Sequence, residues 1–139
     1  MILFLDFDGV FRRTGSPLYR LEADLVERFD CVCAEHPDIR IVITSTWREA
    51  MTLNELRQSF PASLRLRIVG VTPLSRHHGD HGRYREVLAF LKRLGPPAKP
   101  WVALDDDPLH YPPSVNVILT DPAKGFDDEA AERLRGSLV

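Results

Sequence analysis

Cysteine is scarce in this chain. Its 139 residues include two, Cys31 and Cys33, spaced i and i+2 in a segment of helical pattern, where their side chains point apart. That placement excludes a disulfide framework and argues against a metal or redox pair, so the two read as small residues, at least one of them buried. Long apolar runs are missing too: none approaches the ~20 residues of a membrane span. The first residues, Met1–Leu5, are apolar but meet Asp6 and Asp8 at once. They lack the charged n-region, the full apolar h-region and the small-residue cleavage site of a signal peptide. The protein is therefore expected to be soluble, intracellular and cytoplasmic, with no membrane partner. No sign of charge prevails, since 18 basic residues face 20 acidic ones for a formal charge of −2. That balance excludes a global pull toward nucleic acid and leaves only local basic surface. Repeats, linkers and low-complexity segments are absent as well, so a single domain over residues 1–139 is expected. A domain of this size buries roughly 68–70% of its unfolded surface, enough for a core without staples.

What is present alternates short apolar runs with longer amphipathic ones. Ile2–Phe7 reads as a strand ending at an Asp. Glu22–Glu35 has helical spacing, with Leu21, Leu25, Val26, Phe29 and Val32 on one side, and ends at His36-Pro37. Arg40–Thr44 reads as a second strand, Trp47–Phe60 as a helix stopped by Pro61, and Leu66–Val71 as a third strand. Arg83–Leu94 reads as a helix stopped by Gly95-Pro96-Pro97, Trp101–Leu104 and Val115–Leu119 as strands, and Asp127–Leu138 as a last helix capped by Asp127 or Asp128. Strands alternating with helices predict an α/β fold: a doubly wound, Rossmann-like, parallel five-stranded sheet with helices on both faces. The strands are continuously apolar, as they must be when both faces are covered.

In such sheets ligands bind outside the carboxyl ends of the strands, and the polar residues fall there. The first strand ends in Asp6-Phe7-Asp8-Gly9, the second in Thr44-Ser45-Thr46 and the fourth in Asp105-Asp106-Asp107. A regular strand would send Asp6 and Asp8 to opposite faces. A turn at Asp8-Gly9, permitted by glycine, could aim both carboxylates into one site. Carboxylates so crowded raise each other's pKa, and a hard divalent cation removes that conflict; Mg²⁺ prefers oxygen ligands. One Asp-rich turn could be a loop cap, but two at neighbouring strand ends fit that reading poorly.

These residues resemble the haloacid dehalogenase-like (HAD) phosphohydrolase superfamily. Asp6-Phe7-Asp8-Gly9-Val10 matches its first motif, Ile41-Val42-Ile43-Thr44 its second, and Trp101-Val102-Ala103-Leu104-Asp105-Asp106 its fourth, in the family's order. The resemblance implies a Mg²⁺-dependent phosphatase in which strand one is central between strands two and four. Asp6 would be the nucleophile and Asp8 the general acid and base, its carbonyl also touching the metal. Thr44 would bond the phosphoryl oxygens, with Ser45 its rival. Asp106 is the preferred side-chain metal ligand, with Asp105 beside it and Asp6 and Asp8 completing the set. The family usually places a Lys at the start of the helix before the acidic strand. This chain has Arg83, with Arg85 second; Lys92 and Lys99 lie too far away.

Relatives often carry a cap domain. Here Val10 to Leu21 is long enough only for a flap and Ser75 to Gly82 only for a loop, so the protein reads as capless, with an open site that a large substrate, a partner protein or an oligomer could complete. Arg12, Arg13 and Arg20 in the flap, Arg48 after Trp47, and Arg76, His77, His78, His81, Arg83 and Arg85 after strand three form a basic rim suited to a polyanion such as a nucleic-acid end or a nucleotide. His77–His81 matches no zinc pattern and reads as a substrate-contacting or flexible loop. Thr44-Ser45-Thr46-Trp47-Arg48, Asp105-Asp106-Asp107 and Thr120-Asp121-Pro122 before Gly125-Phe126 resemble the capless HAD branch associated with RNA-repair proteins. That implies a phosphatase acting on RNA or DNA ends. The alternatives are a nucleotidase or sugar phosphatase, and a non-catalytic phosphate- or Mg²⁺-binding scaffold. Asp8 favours hydrolysis over the stable phosphorylation of a receiver domain, which lacks a second Asp at that spacing.

Overall fold

The computed structural model describes residues 1–75 and 80–138. In chain order the elements are β1 (Ile2–Leu5), α1 (Ala23–Ala34), β2 (Arg40–Ile43), a 3₁₀ turn at Thr46–Glu49, α2 (Leu53–Gln58), α3 (Ala62–Arg65) and β3 (Ile68–Val71). There follow α4 (Gly82–Leu94), β4 (Trp101–Asp105), a 3₁₀ turn at Pro108–His110, β5 (Val117–Leu119) and α5 (Asp128–Leu138). The strands form one sheet in the order β3-β2-β1-β4-β5, every pairing parallel. β1 is central and flanked by β2 and β4, as expected. No folded cap occurs among the described residues.

Alternation along β1 divides the core into two layers. Leu3 and Leu5 face a layer that α1, α2, α3 and α5 supply, with Leu25, Phe29, Leu56, Leu64 and Leu134. Ile2 and Phe4 face the opposite layer, which α4 and the β4–β5 connection supply through Val87 and Tyr111. Because both faces are covered, all four residues of β1 are buried. Below the carboxyl edge of the sheet a group of aromatic rings fills the first layer: Phe7 lies 5.0 Å from Trp47 and 5.6 Å from Phe60, and Phe11 5.1 Å from Phe29, spacings at which offset and edge-on rings attract.

Several expected boundaries moved, the first strand ending at Leu5 rather than Phe7 and the second at Ile43 rather than Thr44; three further shifts have a local reason. The helix expected over Trp47–Phe60 is broken into three pieces. Ser45 caps the 3₁₀ turn by accepting from the Trp47 N–H, and Thr52 and Glu55 form a reciprocal capping box that starts α2 afresh. Pro61 then caps α3. Strand three starts at Ile68 because α3 runs through Arg65, with Leu66 at its end and Arg67 N–H bonded to Leu64. Strand five starts at Val117 because Val115 is still held in a turn, its N–H donating to Pro112. Asp127 caps α5 through the Ala130 N–H, and both cysteines are free, Cys33 buried and Cys31 exposed. No helix among the described residues is long and apolar enough to cross a membrane.

Candidate active site

The site follows from strand register. Leu5 pairs with Ile43 on one side and with Leu104 on the other. The next residue of each strand, Asp6, Thr44 and Asp105, therefore emerges at one level of the sheet. The ladder continues one step further: Asp6 N–H donates to Leu104 at 3.0 Å and Thr44 N–H to Leu5 at 2.8 Å. All three side chains are buried. Beyond Asp6 the chain turns at Gly9, whose φ of +79° is the left-handed conformation that favours glycine. A Cβ there would sit 2.2 Å from the Asp106 carboxylate oxygen, so this glycine also makes room for Asp106. The Thr120 hydroxyl ties the turn down by donating to the Gly9 carbonyl at 2.7 Å.

The carboxylates crowd one another. Asp6 is pushed well above the usual carboxylate range, first by burial and then by Asp105, against the pull of Arg83. Asp106, half-buried and within hydrogen-bonding reach of Asp6 and Asp105, is pushed up to about 6, again first by burial and then by Asp105. His110 turns back from its 3₁₀ turn so that Nδ1 lies 3.0 and 2.9 Å from the two Asp105 oxygens; that hydrogen bond raises the imidazole pKa. Ligand atoms of Asp6, Asp105 and His110 all lie within 4.8 Å of one another.

On the α4 side, Arg83 donates to Glu86 at 2.9 Å, and Glu86 also ion-pairs with Arg48 and accepts from the Ser75 N–H. Burial opposes the Arg83 charge, but Glu86, Asp6 and Asp105 more than offset that and raise its pKa. Arg83 is therefore the positive group beside Asp6. Arg85, two residues on, is exposed on the far side of the helix. Arg48 differs from the rim residue expected: its side chain is 2% exposed, and its donors go to the carbonyls of Thr44, Ser45 and Thr72 and to Glu86. It holds the ends of β2 and β3 in place rather than facing a substrate.

Among the described residues, Thr44 Oγ1 and Arg83 Nε are buried without a hydrogen-bond partner, whereas Ser45 Oγ already accepts from Trp47 N–H. Of the two hydroxyls weighed for the phosphoryl group, Thr44 is thus the one left without a partner. Asp8 stands apart from the cluster. Its side chain is 45% exposed, pairs with Arg12 at 3.2 Å and accepts from the Trp47 indole at 3.3 Å. The flap arginines are also not a free rim: Arg12 is held by Asp8 and the Pro17 carbonyl, and Arg13 by Glu22 and Asp24. Arg20 is exposed, while Arg76, His77, His78 and Gly79 lie outside the described residues.

Sequence reasoning missed His110, Glu86 and the Trp47 indole. Glu86 was legible, since i and i+3 on one helix put it beside Arg83. His110 was half-legible: Asp107 before Pro108 is a helix-start signal, and one turn brings the third residue of that turn back over Asp105.

The donor set fits Mg²⁺. Asp6, Asp105 and Asp106 offer hard oxygen ligands, and a divalent charge among them would offset the crowding that pushes Asp6 and Asp106 above the usual carboxylate range. The sign of the linkage can be tested. A carboxylate raised in the folded state weakens folding once it ionises, so the ion-free protein should lose stability as pH climbs through about 6. A raised histidine acts in the same direction, its contribution fading as pH rises. Mg²⁺ is therefore expected to raise Tm more at about pH 7.5, above the point at which Asp106 ionises, than at about pH 5. Equal shifts by differential scanning fluorimetry at both pH values would contradict this cluster as the metal site.

The family model for the HAD domain in Swiss Army Knife RNA repair proteins matches residues 2–131, and the chain belongs to that family. Membership and fold agree: a capless HAD domain of phosphohydrolase type. No match was found among curated proteins or solved structures.

Proposed function

We propose that the chain is a Mg²⁺-dependent phosphomonoesterase that works through an aspartyl-phosphate on Asp6. The observation that supports this reading is the pair of buried donors, Thr44 Oγ1 and Arg83 Nε, which have no partner among the described residues and lie around a buried Asp6. Buried donors ordinarily have partners; a phosphoryl group seated against Asp6 would bring acceptor oxygens to both. The Asp6 carboxylate would attack phosphorus while the bond to the leaving oxygen breaks, and Asp8 would give that oxygen its proton. Asp8 would then take a proton from the water that attacks the acyl phosphate, releasing inorganic phosphate and restoring Asp6. Trp47 and Arg12 hold the Asp8 carboxylate half-exposed, as a group that must meet both leaving group and water would need to be. Mg²⁺, held by Asp6, Asp105 and Asp106, would neutralise the charge that keeps carboxylate and phosphate apart.

A phosphorylated nucleic-acid end is the favoured substrate, on two supports: the family's description names RNA repair proteins, and a flap rather than a cap borders the site. A second reading, a nucleotidase or sugar phosphatase acting on small molecules, draws support from the internal pairing of Arg12 and Arg13, which leaves less basic rim for a long polyanion. A partner protein or a second copy could complete the open site in either case.

The test is a screen of phosphorylated oligonucleotides, nucleotides and sugars with Mg²⁺, with the phosphoryl-enzyme sought by mass spectrometry. Asp8→Asn is expected to slow turnover by about 10²–10⁴-fold and to let a phosphoryl group accumulate on Asp6. Wild-type rates in Asp8→Asn would remove Asp8 from the mechanism. Absence of turnover on every ester, with phosphate still bound, would instead support a non-catalytic scaffold.

A further inference from the structure

The flap between β1 and α1 carries an aromatic ring that the chemistry so far does not use. Tyr19 is 56% exposed and its neighbour Leu18 72%. Its backbone sits at φ +57°, a left-handed conformation that is uncommon for a bulky residue and that surrounding structure must hold in place. The Tyr19 ring lies 5.3 Å from that of Trp47. Trp47 is buried, and its indole N–H donates to the Asp8 carboxylate. One aromatic contact therefore separates an exposed ring from the group placed to protonate the leaving oxygen.

The flap that presents this ring is pinned on both sides. Arg12 Nε donates to the Pro17 carbonyl at 3.0 Å, just before Leu18. Ser16 donates to Glu22 at 2.8 Å, Arg13 bridges Glu22 and Asp24, and Thr14 N–H reaches the Pro122 carbonyl at 3.0 Å. An exposed ring on a braced loop is preorganised, so a ligand that stacks on it meets little ordering cost.

We propose that Tyr19 is a stacking platform for the nucleobase next to the phosphate being cleaved, making the flap the element that selects a nucleotide leaving group. The proposal rests on the phosphomonoesterase reading above. A leaving group that reaches Asp8 would extend outward beside Trp47, and Tyr19 is an exposed ring packed against that indole. A flat apolar face with Leu18 beside it suits a planar base, which any aromatic ring accepts without hydrogen-bond readout. The exposed Arg20 that follows it can meet a neighbouring phosphate. The base could come from a free nucleotide or from the end of a strand.

The experiment compares the full chain with Tyr19→Ala and Tyr19→Phe on four esters: a nucleoside monophosphate, a short end-phosphorylated oligonucleotide, a sugar phosphate and ethyl phosphate, which has no ring. Tyr19→Ala is expected to lower kcat/KM for one or both base-bearing esters by roughly tenfold to a hundredfold, to leave ethyl and sugar phosphate unchanged, and to be rescued by Tyr19→Phe. A loss on both base-bearing esters assigns the platform to any nucleotide; a loss on the oligonucleotide alone assigns it to a strand end. A loss shared by ethyl phosphate, a loss confined to the sugar phosphate, or no loss on any base-bearing ester would overturn the proposal. Tryptophan emission supplies a readout independent of turnover. A stacked base should quench it through Trp47 in the wild type and less in Tyr19→Ala. Quenching by nucleotides in a protein that hydrolyses none of the four esters would sink the phosphatase reading while leaving the platform. Hydrolysis of all four without selective quenching would sink the platform alone.

Discussion

Asp6→Asn is expected to abolish turnover, with a fall on the order of 10⁶-fold as for loss of a nucleophile that acts within a catalytic unit. A carboxamide cannot form the acyl phosphate, and the neighbouring carboxylates cannot replace it: Asp105 is tied to His110 and Asp106 lies over Gly9. The fold should survive. Asp6 is buried and held above the usual carboxylate range by burial and by Asp105, so its ionised form is strained in the ion-free protein. A neutral side chain of the same shape removes that strain. Thermal unfolding of Asp6→Asn at neutral pH without Mg²⁺ should therefore occur at the same or a higher temperature than wild type, and the Mg²⁺-induced shift should shrink. Retained turnover would exclude the nucleophile assignment. A large drop in Tm without Mg²⁺ would mean that the Asp6 charge is needed by Arg83 more than it is resisted by Asp105.

Glu86→Ala should damage the protein more widely. Glu86 is 5% exposed and joins two guanidiniums, Arg48 at 2% and Arg83 at 12%. Removing one partner of a buried ion pair leaves uncompensated charge, at a cost of roughly 3–5 kcal/mol. Two such charges remain here. Arg48 also brackets the ends of β2 and β3 through Thr44 and Thr72, so Thr44 should loosen with it. The expected outcome is a lower denaturation midpoint together with a marked fall in kcat. Glu86→Gln separates the two effects: it keeps hydrogen-bond acceptance but not charge, and should recover packing more than activity. Wild-type stability in Glu86→Ala, measured by chemical denaturation, would show that solvent or another carboxylate reaches Arg48 and Arg83.

The depth to which the sequence could be read varied with the range of the interaction. The five strands, their parallel arrangement and the carboxyl-edge position of Asp6, Thr44 and Asp105 were all legible, because continuous apolar runs and the polar residues that end them are local patterns. Helix boundaries were less so. The Thr52–Glu55 capping box is itself a sequence signal, yet inside an apolar-periodic stretch it read as a helix interior, and α2 and α3 were merged. The rim went further astray. Counting Arg12, Arg13 and Arg48 as surface charge ignored their partners, and Asp8, Glu22 and Glu86 come from other turns and helices.

The sequence by itself determined which edge of the sheet gathers the polar groups of the candidate site, since the apolar runs of β1, β2 and β4 stop at Asp6, Thr44 and Asp105 and burial on both faces leaves that end free. Tertiary structure alone decided how those groups face one another. Strand register put Asp6, Thr44 and Asp105 at one level; packing of α4 on the sheet chose Arg83 over Arg85 and buried Glu86 between two arginines. The turn after β4 brought His110 onto Asp105, and the flap set Tyr19 against Trp47. Most of these depend on groups meeting across segments distant in the chain, such as Arg48 with Glu86 and Tyr19 with Trp47, and their energies depend on burial, which periodicity along one segment does not encode.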